Sequence, residues 1–193
     1  MSALRTLAAL AVVAVGPTNA PSTPAPLAPA PPGARVAVLP VALNNLSTMP
    51  DDPPARIDAL GAALRARLAG ECGYDVMTVD SADAARGRAG PTYYYDHPDA
   101  AVQLARAAGA EWALIPRLNR ASPWVTDLQL HVVRVEQGTI VSNRVVELKG
   151  FGMSDALTER LTDRGAAWMA DQVDQAIQWA TAPGAPVARH CPA

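Results

Sequence analysis

Hydrophobic and polar positions along residues 34–181 follow two different periods, which predict the elements of a single domain. Continuous apolar runs, and runs in which apolar and polar residues alternate, are typical of β-strands. The first of these runs contains Pro40, where we expect a bulge or a sheet edge because proline cannot donate to the ladder. Five strands are predicted in this way, at residues 35–43, 74–79, 112–116 with an extension towards Arg120, 127–135 and 139–149.

Three other segments carry apolar residues at every third or fourth position, which indicates helices that bury one face. They end near Gly70, near Gly109 and near the end of the domain. Side chains that favour N-cap positions precede each segment. We expect Asp52 to cap the first helix, Asp96 or His97 the second, and Ser154 or Asp155 the third.

The predicted order of elements is β-α-β-α-β-β-β-α. Alternation of strands and helices in the first half favours parallel pairing. The Gln137–Gly138 turn between two later strands favours antiparallel pairing. We therefore predict the α/β (α+β) fold class, with a mixed sheet and helices packed on it in one domain.

The residues that flank the domain indicate export. The apolar run Thr6–Gly16 is too short for a membrane-spanning helix and has the length of a signal-peptide core, although a short buried helix is the alternative. We expect residues 1–20 to be a signal peptide cleaved after Ala20, which makes the mature protein periplasmic. Residues 21–33 form a Pro- and Ala-rich linker, as a spacer rather than a recognition segment, and residues 182–193 form a Pro-rich tail.

The composition of the chain limits the classes of partner and the state of the two cysteines. The chain has 16 Lys and Arg against 18 Asp and Glu, and this balance disfavours nucleic acid as a partner. Half of the residues are hydrophobic, which is enough for a folded core. An exported protein meets an oxidising compartment, so a Cys72–Cys191 disulfide is favoured over two free thiols or an intermolecular bond.

The most unusual string in the chain is Tyr93, Tyr94, Tyr95, Asp96 and His97, which directly precedes a predicted helix. Tyrosine rings offer rigid contact area with a polar tip, as binding surfaces prefer. The same residues could instead form a loop that folds back over the end of the sheet. Both interpretations stay open at the level of sequence.

Polar residues also follow the first two predicted strands. Asn44, Asn45 and Asp80 would face one crevice at the carboxyl ends of parallel strands, where ligands often bind. The acidic residues lack the spacing of a calcium loop, and the three histidines lack that of a zinc site, so no metal is expected. His131 is expected to face solvent. No nucleophile elbow or phosphate-binding glycine loop occurs in the sequence, and we assign no catalytic residue and no cofactor.

Three groups of short phrases carry a resemblance to a known family. They are VAVLP at Val36–Pro40, HPDAA at His97–Ala101 with GAEW at Gly109–Trp112, and QG at Gln137–Gly138 with VELKG at Val146–Gly150. Their order resembles the exported bacterial domain of unknown function 2380 and its close relative 3280. More distantly, the topology is similar to the N-terminal domain of TolB and to curli-secretion-type envelope domains. The resemblance implies an envelope compartment and binding to other envelope proteins, without catalytic residues.

The function expected from these observations is that of a periplasmic, non-catalytic accessory or adaptor protein that binds envelope proteins. The mature chain is expected to contain no transmembrane segment. The alternatives are a small-ligand carrier or sensor, and a small hydrolase of unrecognised type. Exposed Trp124, Trp179 or Tyr93 would favour protein binding, whereas a deep pocket with convergent polar groups would favour the alternatives.

Overall fold

A computed structural model describes residues 33–79, 90–182 and 191. The predicted signal peptide with its cleavage after Ala20, nearly all of the Pro- and Ala-rich linker and most of the Pro-rich tail lie outside these described residues. The candidate binding residue Asp80 also lies outside them.

The described residues form six strands and four helices, and they confirm the predicted α/β domain with a mixed sheet. The strands are β1 (Arg35–Val38), β2 (Ala42–Asn45), β3 (Asp75–Met77), β4 (Trp112–Arg120), β5 (Thr126–Arg134) and β6 (Thr139–Glu147). The helices are α1 (Pro54–Gly70), α2 (Tyr93–Asp96), α3 (Pro98–Ala107) and α4 (Asp155–Thr181). None of these helices combines the length and the apolar character needed to cross a membrane.

The sheet joins a parallel half to an antiparallel half. Its order is β3-β1-β4-β5-β6, and β2 continues along β4 beyond the end of β1. β1 and β2 pair in parallel with their neighbours, whereas β4, β5 and β6 form an antiparallel meander. The strand predicted over residues 35–43 is therefore two strands. Pro40 lies in the interruption, as expected for a residue that has no N–H to donate to the ladder.

Helices cover both faces of the sheet, and a separate hydrophobic cluster fills each side. We call the side covered by α1 and α4 the first face. Its core consists mainly of large aliphatic residues, including Leu64, Leu114, Leu130 and Val173. We call the side covered by α2 and α3 the second face. Its core is smaller and rich in alanine, with Ala37, Ala101, Ala105 and Ala113 among its members.

The start of α1 differs from the prediction. Pro53 occupies the N-cap position, and its side chain has no group that could cap the helix. The Asp52 carboxylate accepts hydrogen bonds from Arg56 and Arg120, and these charged donors take the place of the helix N–H groups. The prediction for α4 is confirmed, because the Ser154 hydroxyl accepts a hydrogen bond from the N–H of Leu157.

A disulfide joins Cys72, which follows α1, to Cys191 near the end of the chain. This is the pairing favoured from the sequence. Cys191 is buried, and its sulfur lies 3.5 Å from the carbonyl oxygen of Ala170 in α4. The bond therefore holds Cys191 against the first-face core.

Candidate functional site

The segment Tyr93–His97 lies against the second face of the sheet. It forms the one-turn helix α2, and only its last residues are exposed. Tyr94 is buried in the second-face core. The Tyr93 ring packs edge-on against Tyr94 with 5.3 Å between the centroids, and it lies 4.8 Å from the His97 ring. Asp96 and His97 therefore form the part of the segment that is open to a partner.

Neither Asp96 nor His97 caps α3 with its side chain, which corrects the prediction for this helix start. His97 occupies the N-cap position, but its ring makes no capping hydrogen bond. The Asp96 carboxylate accepts a hydrogen bond from the Thr92 hydroxyl at 2.6 Å and pairs with Arg117 at 3.2 Å. These contacts bind Asp96 to its own turn and to β4, and not to the N–H groups of α3.

Tyr95 lies between a cation and an imidazole. The Arg117 guanidinium carbon is 3.6 Å from the centroid of the Tyr95 ring, and the His131 ring is stacked on the same tyrosine. Arg117 is held in place by Gln129, whose side-chain oxygen accepts hydrogen bonds from Nε at 2.9 Å and from Nη2 at 2.6 Å. This cluster joins α2 to β4 and β5.

The prediction that His131 faces solvent is wrong. Its side chain lies on the second face beneath α2, and the residue is 8% exposed. Burial, and secondly the positive charge of Arg117, lower the pKa of His131. Burial also raises the pKa of Tyr95. Within the part of the chain that the structure describes, Nδ1 of His131 has no hydrogen-bond partner.

Asn44 and Asn45 organise polar structure at the end of β2. The Asn44 amide donates a hydrogen bond to the Asn119 side-chain oxygen at 2.8 Å, across the β2–β4 pair. The Asn45 amide donates to the Met49 carbonyl and to the Asp51 carboxylate, both at 2.8 Å. Asn45 therefore shapes the loop that follows β2. The structure brings Asn44 and α2 to the same strand pair, whereas Asp80 is outside the described residues.

A buried ion pair that the sequence analysis missed lies at the same end of the sheet. Arg120, at the end of β4, is 2% exposed and pairs with the Asp52 carboxylate. It also donates to the Pro50 carbonyl at 3.2 Å. Arg56 extends the network, since it contacts Asp52 at 2.7 Å and Asp155 at 2.6 Å. The local sequence around Asp52 resembles a helix cap, and no short-range signal indicates a partner in β4.

Three exposed apolar side chains lie in loops at this end, and we call them the apical patch: Leu46, Trp124 and Met153. They are 67%, 65% and 45% exposed. Backbone hydrogen bonds connect their loops to the sheet and to one another, since Leu46 N–H donates to the Arg120 carbonyl at 2.9 Å and Gly150 N–H donates to the Trp124 carbonyl at 3.2 Å. The patch is thus carried by loops that are tied to a buried ion pair.

Gly152 fits the backbone closely against that ion pair. Its φ is +85°, and a Cβ atom at this position would lie 2.5 Å from Nη2 of Arg120. Glycine is required here both for the left-handed backbone and for the close approach. The β6–α4 loop therefore packs directly on the Arg120 guanidinium.

A groove of about 430 Å³ opens at the carboxyl ends of β1 and β3. Among the described residues, its lining includes Val38, Val41, Asp58, Arg65 and Val76. The predicted crevice residues Asn44 and Asn45, and the tyrosines of α2, are not in that lining.

The family of the chain follows from comparison with known proteins. Residues 34–173 match the model of DUF3280, described as a protein of unknown function (DUF2380). The chain belongs to this family. The resemblance drawn from the phrases at Val36–Pro40 and His97–Ala101 is thereby confirmed. No curated protein matches the chain.

This DUF3280 member is also similar to several solved structures at low identity. The LpoB C-terminal domain from Salmonella enterica is 18% identical with a TM-score of 0.44, over 61% of this chain and 83% of that chain. The PelC dodecamer from Paraburkholderia phytofirmans is 19% identical with a TM-score of 0.45, and the match covers 72% of this chain and 87% of the PelC chain. TolB from Acinetobacter baumannii is 13% identical with a TM-score of 0.43, and the match covers 78% of this chain and 28% of the TolB chain.

Proposed function

We propose that this protein is an exported, non-catalytic accessory protein that binds another protein of the cell envelope. The apolar run Thr6–Gly16 and the small residues up to Ala20 support export. The Cys72–Cys191 disulfide supports the same compartment, because disulfides persist where the environment is oxidising.

The apical patch is the observation that carries the binding function. A tryptophan and two aliphatic side chains from three separate loops are exposed at one end of the sheet. Large exposed apolar residues on an ordered support are typical of protein contact sites, in which tryptophan is enriched. The buried pair Asp52–Arg120 holds the underlying loops, so little order has to be gained when a partner binds.

The residues predicted from the sequence take supporting roles in this proposal. Asn45 fixes the loop that presents Leu46. Tyr94 packs in the second-face core, and Tyr95 fixes α2 on the sheet. Asp96 and His97 are exposed, and we propose them as a polar margin of the contact.

Photocross-linking in intact cells tests the proposal. A photoreactive residue replaces Trp124 in the full chain, and a matched chain carries it at the exposed α4 position Glu159. We expect one reproducible envelope protein to cross-link at Trp124 only, and excess purified chain to compete for it. Purified Trp124→Ala should bind that protein about tenfold more weakly than the wild type or Glu159→Ala. Equal cross-linking at both positions, or equal affinity of both variants, contradicts the proposal.

A further inference from the structure

Strand β6 forms one edge of the sheet, and among the described strands only β5 pairs with it. Edge strands are commonly protected by lysine, proline or a bulge. β6 contains neither lysine nor proline. Its irregularity lies opposite Val132 and Val133, which leaves Ser142–Glu147 in regular register with β5. This stretch of backbone is therefore suited to pair with an added strand.

The hydrogen-bond pattern identifies the backbone groups of β6 that face outward. Leu148 N–H donates to the Thr126 carbonyl at 2.7 Å, so alternate residues in phase with Leu148 exchange bonds with β5. The intervening residues direct their N–H and C=O groups away from β5. Asn143, Val145 and Glu147 therefore carry the outward donors and acceptors of this edge.

A groove of about 280 Å³ continues from this edge onto α4. Its lining includes Val141, Ser142 and Arg144 from β6, and Gln175, Ala176 and Trp179 from α4. Trp179 is 57% exposed, so a large aromatic surface in the groove is uncovered. Adjacent strands lie about 4.8 Å apart and alternate side chains share a face, so a strand added to β6 would place every second side chain in the groove.

The charge of the groove indicates which side chains an added strand would carry. Arg144 is the charged residue among its described lining residues, and no described residue pairs with the guanidinium. A carboxylate beside Arg144 would form a charge-assisted hydrogen bond. An apolar side chain in the same alternating phase would pack on Trp179.

Two other occupants meet these requirements less well. In a second copy related by a two-fold axis, β6 would present the same face to the groove, and that face contains Ser142, Arg144 and Val146 but no acid. The linker at residues 21–33 also has no acidic residue, and its six prolines lack the N–H groups that edge pairing needs.

We propose that β6 and the adjoining groove bind an extended segment of a partner protein, with alternating apolar and acidic residues, as an added strand of the sheet. This inference rests on the proposed protein-binding function, but it uses a surface separate from the apical patch.

The test separates backbone pairing from side-chain contact at Val145. Val145→Pro removes an outward N–H and leaves the bonds to β5, whereas the matched control Val145→Thr keeps that N–H. Random displayed peptides of about twelve residues are selected against the full chain. We expect the enriched peptides to alternate apolar and acidic residues, and to bind Val145→Pro about tenfold more weakly while Val145→Thr stays within about twofold of the wild type.

Arg144→Glu is the second variant. If circular dichroism shows that Val145→Pro does not fold, the test rests on Arg144→Glu. Selection against Arg144→Glu should enrich basic residues in place of acidic ones. Failure to enrich any alternating peptide, or binding unchanged by Val145→Pro and Arg144→Glu, overturns the inference. Peptides whose binding is abolished by Trp124→Ala but unchanged by the two β6 variants would overturn the inference, while the proposed function would stand. A wild-type dimer that Val145→Pro dissociates in sedimentation would assign the edge to a second copy and would also overturn it.

Discussion

The imidazole of His131 stacks on the phenol ring of Tyr95, with 4.0 Å between the ring centroids and 23° between the ring planes. The contact fixes α2 on β5. The Arg117 guanidinium packs on the same tyrosine ring, so a permanent cation and an ionisable imidazole share one aromatic neighbour. Protonation of His131 would add a second positive charge to this half-buried cluster.

We expect His131 to make the folded protein less stable in mild acid. Its pKa is lowered in the folded state by burial and then by Arg117, whereas the unfolded imidazole titrates near 6.5. Between these two pKa values the unfolded chain binds more protons than the folded protein. The free energy of unfolding should therefore be highest, as far as His131 affects it, above about pH 7. It should fall as the pH decreases through about 6.5 towards the pKa of His131 in the folded protein. Urea denaturation across this range measures the fall.

His131→Phe is the matched variant, because phenylalanine keeps a stacked ring but does not titrate. The difference in unfolding free energy between wild type and variant should change with pH between about 7 and 5. Every other ionisable group is the same in both proteins, so its contribution cancels in this difference. A difference that is constant over the range would show that His131 does not contribute to the acid sensitivity.

Tyr94 should be the structural residue of the tyrosine string. Its residue exposure is 5%, and it packs in the second-face core against α3. Tyr94→Ala should lower the free energy of unfolding by about 3–5 kcal/mol, the usual loss for a buried large aromatic. The control His97→Ala changes an exposed side chain and should stay within about 0.5 kcal/mol. Denaturant titrations of both variants check this, and similar losses in the two would contradict the assignment.

Asp52 should be needed for folding and not merely for the start of α1. Asp52→Asn leaves the buried Arg120 guanidinium without its counter-charge, and removal of one partner of a buried pair costs about 3–5 kcal/mol. Thermal and denaturant unfolding measure the loss. The matched control is Asp155→Asn, since Asp155 also contacts Arg56 but is 95% exposed at its side chain, and its change should have little effect. Equal stability of the two variants would show that the buried Asp52–Arg120 pair contributes no more to folding than an exposed ion pair does.

The fold could be predicted because its main signals are local. The apolar stripe of α1, the Ser154 cap and the Gln137–Gly138 turn each depend on residues within a few positions. Pro40 predicted an irregularity for the same reason, although not that β1 and β2 would be separate strands. Local pattern therefore determined the order of elements and the mixed sheet.

The residues of the site depended on contacts that no local pattern shows. His131 alternates with Leu128 and Leu130, which places it on the opposite face of β5, but only the position of α2 decides that this face is covered. Asp52 has the local pattern of a cap, yet it pairs with Arg120, which is 68 residues away in the sequence. The sequence identifies Trp124 as a residue whose exposure would favour protein binding, whereas its neighbours in the apical patch come from loops that only the fold brings to one end.

The Cys72–Cys191 disulfide should contribute strongly to stability. The two cysteines are 119 residues apart, and the chain-entropy model gives about 4–5 kcal/mol for so long a loop, within the observed range of about 2–5 kcal/mol for native bonds. Cys191→Ser should lower the free energy of unfolding by an amount in that range. The wild type treated with dithiothreitol should fall to the stability of the variant, because both then have an unconstrained unfolded chain. The variant itself should not respond to the reductant. An effect of dithiothreitol on Cys191→Ser, or none on the wild type, would contradict the assignment of this bond as the stabilising one.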